Sequence, residues 1–422
     1  MNEIDSHQIR TPRERRRSAL PGRFVIAAIA VLVGLFAAEG LSRVAWKWLY
    51  NRQLEELLGG YQFVDKANSI ILLNPNTRLT LRQLFTRLES HDKTRGADAL
   101  RLDAAQVGAK DDEIVFSINR FGFIGPEINK EKTAGYTRIM TIGDSVTFGS
   151  YVNNTSYPRV LEQELNRRSD HPLGSVEVIN AAVQGYNIEG VLKRIDYFLD
   201  FDPDLITILI GWNRTIIRAD PDKQEALYRN LTLYRFFYHG LIARQTSSMA
   251  LADFKKMHFD PADPLMNRLR IEDFAYDLKD LDTLIKRVRE LRPKAKICLL
   301  TLAGLFVENV TPTADAIQKA YPTSFTPNLS AWAVLCSGFN QKLREFAASR
   351  GIEVIDMADW SVTAFVPRER YFVDSVHMSA EGSILYGKRL AEEIVLRAPS
   401  MFQSGSSPPP SHPASPAVGA GK

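Results

Sequence analysis

The stretch Thr137-Arg138-Ile139-Met140-Thr141-Ile142-Gly143-Asp144-Ser145 has the form of a short buried strand running into a turn. Its apolar run is too brief for a helix and stops on a glycine followed by two polar residues. Four further runs of the same kind follow at Val176 to Asn180, Leu205 to Ile210, Ala295 to Leu302 and Ile352 to Ile355. Segments with apolar residues at helical spacing lie between and after them: Tyr157 to Arg168, Ile188 to Leu199, Ile271 to Leu291, Trp332 to Arg350 and Ala380 to Arg397. Short strands alternating with helices are the signature of βαβ units on a parallel sheet. The expected fold class is therefore α/β, a doubly wound parallel five-stranded sheet.

The crossover from Ile210 to Ala295 is about 85 residues long, far more than one helix requires. An insertion at about 214–270 is expected there, as a lid or wall over the site. Within it LYRNLTLYRFFYHGL carries Tyr228, Tyr234, Phe236, Phe237 and Tyr238, either as packing or as the lining of a substrate channel. Residues 51–135 read as a lead-in, with helical pieces at Leu79 to Leu88 and an extended stretch, EIVFSINRFGF, before Gly125. This lead-in shows no chemistry of its own. The main domain is expected over 136–398, and 399–422, rich in Pro, Ser and Gly, as a disordered tail.

Ligands of open α/β sheets bind outside the carboxyl ends of the strands, so the polar residues just after each apolar run are the informative ones. After the first run come Gly143, Asp144 and Ser145, with Ser145 where a helix should begin. The second is followed by AAVQGYN with Gly185, and the third by Gly211-Trp212-Asn213. Near the C-terminus, YFVDSVHMSAEG supplies Asp374 and His377 just before the last helix. Four separate chain regions thus converge on one edge of the sheet.

GDS after the first strand, a glycine after the second, GxN after the third and DxxH before the last helix together resemble the SGNH/GDSL hydrolases, over roughly Arg138 to Val395. The resemblance implies the flavodoxin-like sheet of those enzymes and a carboxylic ester hydrolase working without a cofactor or metal. It also implies Ser145 as nucleophile, His377 as base and Asp374 as the partner that orients it. The Ser145 amide, Gly185 and Asn213 would form the oxyanion hole. Trp212 and Arg214, flanking Asn213, depart from the family's frequent Gly-x-Asn-Asp and leave the bracing of that loop open.

The chemistry supports the same assignment independently. A serine hydroxyl is a poor nucleophile at neutral pH and needs a neutral imidazole to take its proton. Of the seven histidines His377, just before the last helix, is the best placed. An Asp three residues earlier can turn back to bond the ring and fix its tautomer. Taken singly, each residue has a plainer reading: Ser145 as a helix cap, Gly185 as a turn, Asn213 as a strand cap, His377 as a loop histidine. Their joint occurrence in this order favours catalysis. Asp144 and Thr147 are read as structural, holding the turn around the serine.

Other classes fare worse. The chain has no GxSxG elbow of a conventional α/β-hydrolase, no HExxH, HxH or CxxC metal pattern, and no GxGxxG after the first strand. Acyl transfer to a sugar hydroxyl, as in an O-acetyltransferase of cell-surface polysaccharide, would use the same five residues. A non-catalytic glycan-binding module should have lost a triad member, and none is lost. The expected substrate is an ester, an acylated glycan or lipid, and no sequence feature points to a protein partner.

The net charge of +4 arises from 53 basic and 49 acidic residues, with much of the excess at Arg13, Arg15, Arg16, Arg17 and Arg23. No basic face for nucleic acid remains beyond it. FVIAAIAVLVGLFAA, Phe24 to Ala38, follows the arginines and is extended by Leu41 to Tyr50, enough for a spanning helix of roughly 20 residues. Six arginines precede it, from Arg10 to Arg23, whereas Arg43, Lys47 and Arg52 follow. The positive-inside rule then makes 1–23 cytoplasmic, 24–50 the anchor with its interfacial flank at Trp46, Trp48 and Tyr50, and the rest extracytoplasmic, in a periplasm. A cleaved signal peptide, with Ala38-Glu39-Gly40 as its site, is the competing reading. Cys298 and Cys336 are either one bridge or two inert thiols.

Overall fold

The computed structural model describes residues 20–56, 60–91, 96–213, 230–237, 256–269, 275–320 and 326–402. Five strands form the central sheet: β5 (Tyr136–Gly143), β6 (Ser175–Asn180), β7 (Leu205–Leu209), β8 (Lys296–Leu300) and β9 (Glu353–Ile355). They lie in the order β6-β5-β7-β8-β9, all parallel, which is the doubly wound flavodoxin-like arrangement. Every residue of Leu-Ile-Thr-Ile-Leu in β7 is buried, as a central strand covered on both faces requires.

Parallel crossovers are right-handed, so a reversal of the direction in which successive strands are added moves the connecting helix to the other face. The β5-to-β6 connection runs one way and carries α4 (Ser145–Phe148) and α5 (Tyr157–Arg167). The later connections run the other way and carry α6 (Ile188–Leu192), α7 (Ile195–Leu199), α8 (Thr232–Phe237), α9 (Ala275–Leu291), α10 (Ala314–Lys319) and α11 (Ser330–Ala348). After β9 come α12 (Met357–Ala364), α13 (Arg368–Tyr371) and α14 (Ala380–Phe402). Contacts follow this division: α14 returns to pack on α5, while α6 and α7 pack on α9.

Upstream stand α1 (Leu20–Glu56), β1 (Gln62–Asp65), β2 (Ile70–Leu73), β3 (Thr77–Thr80), α2 (Leu81–His91), α3 (Gly96–Val107) and β4 (Ile114–Ile118). β1 and β2 form one antiparallel pair, β3 and β4 another. Ile124 bridges both Ile118 and Asn180, which ties the second pair to the outer strand β6. Tyr61, Ile71, Leu79, Leu100 and Phe116 belong to the same continuous core as Ile139, Leu205 and Leu299. The lead-in is therefore built onto the sheet.

Several expectations need adjustment. Leu79 and Thr80 lie in β3 and the helix starts at Leu81, because Thr80 and Gln83 form a capping box: the Gln83 amide donates to Thr80 Oγ1 at 3.3 Å and the Thr80 amide to Gln83 Oε1 at 3.0 Å. Ile188 to Leu199 is two short helices, parted where Arg194 lays its guanidinium over the Tyr197 ring at 4.1 Å. α14 continues past Arg397 through Pro399, since Ala398 and Met401 are buried in the core. Tyr228, Tyr238, Arg214 and residues 403–422 of the expected tail lie outside the described residues. Cys298 and Cys336 are free and buried.

Candidate active site

The site is assembled where β5 and β7 end side by side, with Gly143 in register with Leu209. Gly143 can only be glycine: a Cβ there would collide with the Thr147 side chain and the Leu209 carbonyl. Asp144 caps the short α4, accepting from the Val146 amide at 2.9 Å through Oδ1. Burial is the main influence on this carboxyl and pushes its pKa up to about 6 against the pull of the Val146 amide and His377. The Trp212 amide adds a smaller downward pull. Thr147 is held from two sides, donating to the Leu209 carbonyl at 3.4 Å and accepting from the Tyr157 hydroxyl at 3.0 Å. Ser145 thus opens a helix whose other residues are buried and fixed.

Between α13 and α14 the chain folds back so that Phe372 and Met378 bridge, and the Val373 amide donates to the His377 carbonyl at 2.9 Å. Within this loop Asp374 Oδ1 accepts from the Val376 and His377 amides at 2.9 and 2.8 Å, which leaves Oδ2 to meet His377 Nδ1 at 2.7 Å. His377 Nε2 lies 2.8 Å from Ser145 Oγ. Burial disfavours the imidazolium, but the charge and hydrogen bond of Asp374 together with the charge of Asp144 outweigh it and hold the His377 pKa above its ordinary value. The Asp374 carboxyl is itself depressed: burial would raise it, and His377 with the two backbone amides overcomes that.

Gly185 adopts φ 78°, a left-handed turn that suits glycine. Asn213 Nδ2 donates to the carbonyl of the next residue, Tyr186, at 2.8 Å, so these two positions meet in one place and one Asn213 N–H is used there. The bracing of this loop is apolar: Trp212 is buried against Trp332 with ring centroids 6.2 Å apart, and Gly211 lies so close to the Phe339 ring that a Cβ would come within 2.7 Å of it. Ser145, Asp374 and His377 therefore form one connected group, and Gly185 with Asn213 a second, joined through the adjacent ends of β5 and β7.

The model of the GDSL-like lipase/acylhydrolase family matches residues 141–383, more than half of the 422-residue chain and all of the positions just described. The chain belongs to this family. It is an ester hydrolase by that membership. Among solved structures, a lipase/acylhydrolase from Enterococcus faecalis is similar at 18% identity, over 62% of this chain and 96% of that one, with a TM-score of 0.38. A member of the lipolytic G-D-S-L family from Veillonella parvula is similar at 14% identity, over 62% and 99%, with a TM-score of 0.35. An acetyl xylan esterase is similar at 15% identity, over 61% and 100%, with a TM-score of 0.37. No curated protein matches the chain.

This GDSL-family esterase surrounds its site with residues that no motif marks. Asp103 of α3 is buried, and burial pushes its carboxyl up to about 6 despite the donors it accepts. Its oxygens accept from Ser150 Oγ at 2.6 Å and from the Ala380 amide at 2.8 Å. One carboxylate thus bridges the segment after Ser145 and the segment after His377, while Gln106 accepts from the Glu381 amide at 3.2 Å. On the other flank, Tyr61 donates to Gln184 Oε1 at 2.7 Å and Tyr186 to the Ile71 carbonyl at 2.8 Å, one on each side of Gly185. The signal for Asp103 was present in the sequence: it stands three residues after Leu100 on an apolar helical stripe, where an acidic residue must find buried partners.

Proposed function

We propose that this ester hydrolase works through an acyl-enzyme on Ser145, with His377 as general base and Asp374 as its orienting partner. The observation that carries the reading is the unbroken chain of 2.7 Å from Asp374 to His377 and 2.8 Å from His377 to Ser145. Ser145 Oγ attacks the ester carbonyl as its proton passes to His377 Nε2. The oxyanion is held by the amides of Ser145 and Gly185 and the remaining N–H of Asn213. Collapse expels the alcohol, which takes the proton from His377, and a water activated by the same nitrogen releases the acid. The proposed substrates are O-acetyl or other short acyl esters, presented outside the cytoplasm. α1, whose segment Phe24–Arg52 is long and apolar enough to cross a membrane, is the proposed anchor, with the catalytic domain extracytoplasmic.

The test is hydrolysis of p-nitrophenyl acetate and longer p-nitrophenyl esters by the full chain in detergent micelles. Ser145→Ala should lose about 10⁴–10⁶-fold in kcat with unchanged thermal unfolding, and acetate should be preferred. Equal rates for the two proteins would overturn the mechanism.

A further inference from the structure

We propose that the catalytic domain lies flush against the phospholipid bilayer, with α8 of the insertion seated in the headgroup region beside α1. This rests on the spanning role proposed for α1 and adds to it a docking surface. α1 has 37 residues, about 55 Å at 1.5 Å per residue, whereas a hydrocarbon core is about 30 Å thick. A large part of the helix therefore has to leave the hydrocarbon.

From Glu39 onward the helix has two different sides. One side grips the protein: the Glu39 carboxylate accepts from the Thr232 and Leu233 amides, both at 2.9 Å, and so caps α8. Trp46 meets Phe236 edge to face at 5.3 Å, and Lys47 Nζ donates to the Ala67 carbonyl at 3.0 Å. The opposite side continues the apolar stripe: Leu41, Val44 and Trp48, at helical spacing, are 73%, 71% and 62% exposed. Of the three aromatics expected to flank the membrane, Trp48 alone is exposed, since Trp46 packs on α8 and Tyr50 on the core.

α8 and the residue before it extend the uncovered apolar surface, with Leu231, Leu233 and Phe237 at 42%, 39% and 54% exposure. What covers it follows from level. Glu39 stands 15 residues beyond Phe24, about 22 Å along the axis, short of the far boundary of a 30 Å core counted from that residue. Whatever Glu39 caps is therefore held at the depth where interfacial helices sit, about 5–10 Å into the headgroup and acyl boundary. Glu39 itself is satisfied at that depth, bonded by the two α8 amides and by Arg43 at 2.9 Å. The domain is thus attached to the side of the anchor, level with the membrane surface.

The test places bimane probes on the full chain by Leu233→Cys, Phe237→Cys and, as a control on α14, Leu396→Cys, whose native side chain is 71% exposed. Cys298 and Cys336 do not compete for label, being buried with thiols pushed up to about 12. In vesicles carrying lipid spin-labelled near the glycerol, the first two probes should lose most of their emission and the control should keep it. A chain that floats with the vesicles while Leu233→Cys and Phe237→Cys stay bright overturns the docking and leaves the anchor standing. A chain that stays in the aqueous fraction overturns both, and equal quenching at all three sites overturns the orientation.

Discussion

The carboxyl edge of the sheet and the lead-in meet the same small site from two sides and hold it by different means. From the sheet come the groups proposed to touch the reacting atoms, each placed by a strand end: Ser145 after β5, the Gly185 amide after β6 and Asn213 after β7. From the lead-in come groups that touch only the loops carrying them: Asp103 to Ser150 and Ala380, Tyr61 to Gln184, and the Ile71 carbonyl to Tyr186. The first set must have particular chemistry at fixed spacing. The second needs only a donor or acceptor at the right point in space, which many sequences can provide. Activity should therefore fall steeply when the first set is altered and by graded amounts when the second is.

The largest effect belongs to the sheet side. Asp374→Asn should cost about 10⁴-fold in kcat, because the amide can no longer fix the His377 tautomer or stabilise the imidazolium. It should also move the pH profile. In the proposed mechanism neutral His377 is the active form, so kcat/KM should rise with pH through the His377 pKa, which Asp374 and Asp144 hold above the ordinary 6.5. Removing the Asp374 charge lowers that pKa, and the acid limb of the residual activity should shift to lower pH. An acid limb that stays in place would mean that another group controls the profile.

The fold and the two halves of the site differ in how far they were legible. The five strands were readable because β5 to β9 are short apolar runs parted by helical periodicity, and the adjacent placement of their ends follows from a parallel sheet. Ser145, Gly185, Asn213, Asp374 and His377 could be picked out because each stands directly after an apolar run or before the last helix. The extension of α14 through Pro399 depends on tertiary contacts of Ala398 and Met401 that outweigh local propensity. The Thr80-x-x-Gln83 capping box was legible and marks the start of α2 better than apolar spacing does. The lead-in contacts were not, since Asp103 and Ala380 are 277 residues apart and no periodicity links them.

On the lead-in side Asp103 should matter most. Asp103→Ala removes acceptors from Ser150 and from the first turn of α14, so kcat should fall about tenfold with KM unchanged, equivalent to the roughly 1.4 kcal/mol of such contacts. Asp103→Asn still accepts from Ala380 and can donate to Ser150, and should restore most of the rate. The native carboxyl and Asp103→Asn also separate by pH. The folded carboxyl titrates near 6 against 3.8 for its ordinary value, so its contribution to stability is full below about pH 4 and is lost as pH rises through 6. That loss is at most about 3 kcal/mol, and urea unfolding of Asp103→Asn between pH 4 and 7 should lack it.

The smallest effect tests whether graded bracing is the right description of this side. Tyr61→Phe deletes the buried neutral hydrogen bond to Gln184 Oε1 together with the Tyr61 interaction with Tyr151, and should cost about 1 kcal/mol of stability. The rate should change about threefold at most, for a structural reason rather than because Tyr61 is remote. Gln184 Oε1 keeps Gln62 Nε2 at 3.5 Å and Gln184 Nε2 keeps the Tyr151 hydroxyl at 3.2 Å. Beyond Gly185, Tyr186 remains tied to Ile71 through its hydroxyl and to Asn213 through its carbonyl. The Gly185 turn is thus fixed on its far side without Tyr61, whereas among the described residues no second carboxylate spans Ser150 and Ala380 when Asp103 is gone. A kcat loss for Tyr61→Phe as large as that for Asp103→Ala would show that the near side of the turn sets the position of the Gly185 amide, and the lead-in would then act on the oxyanion more than on the histidine.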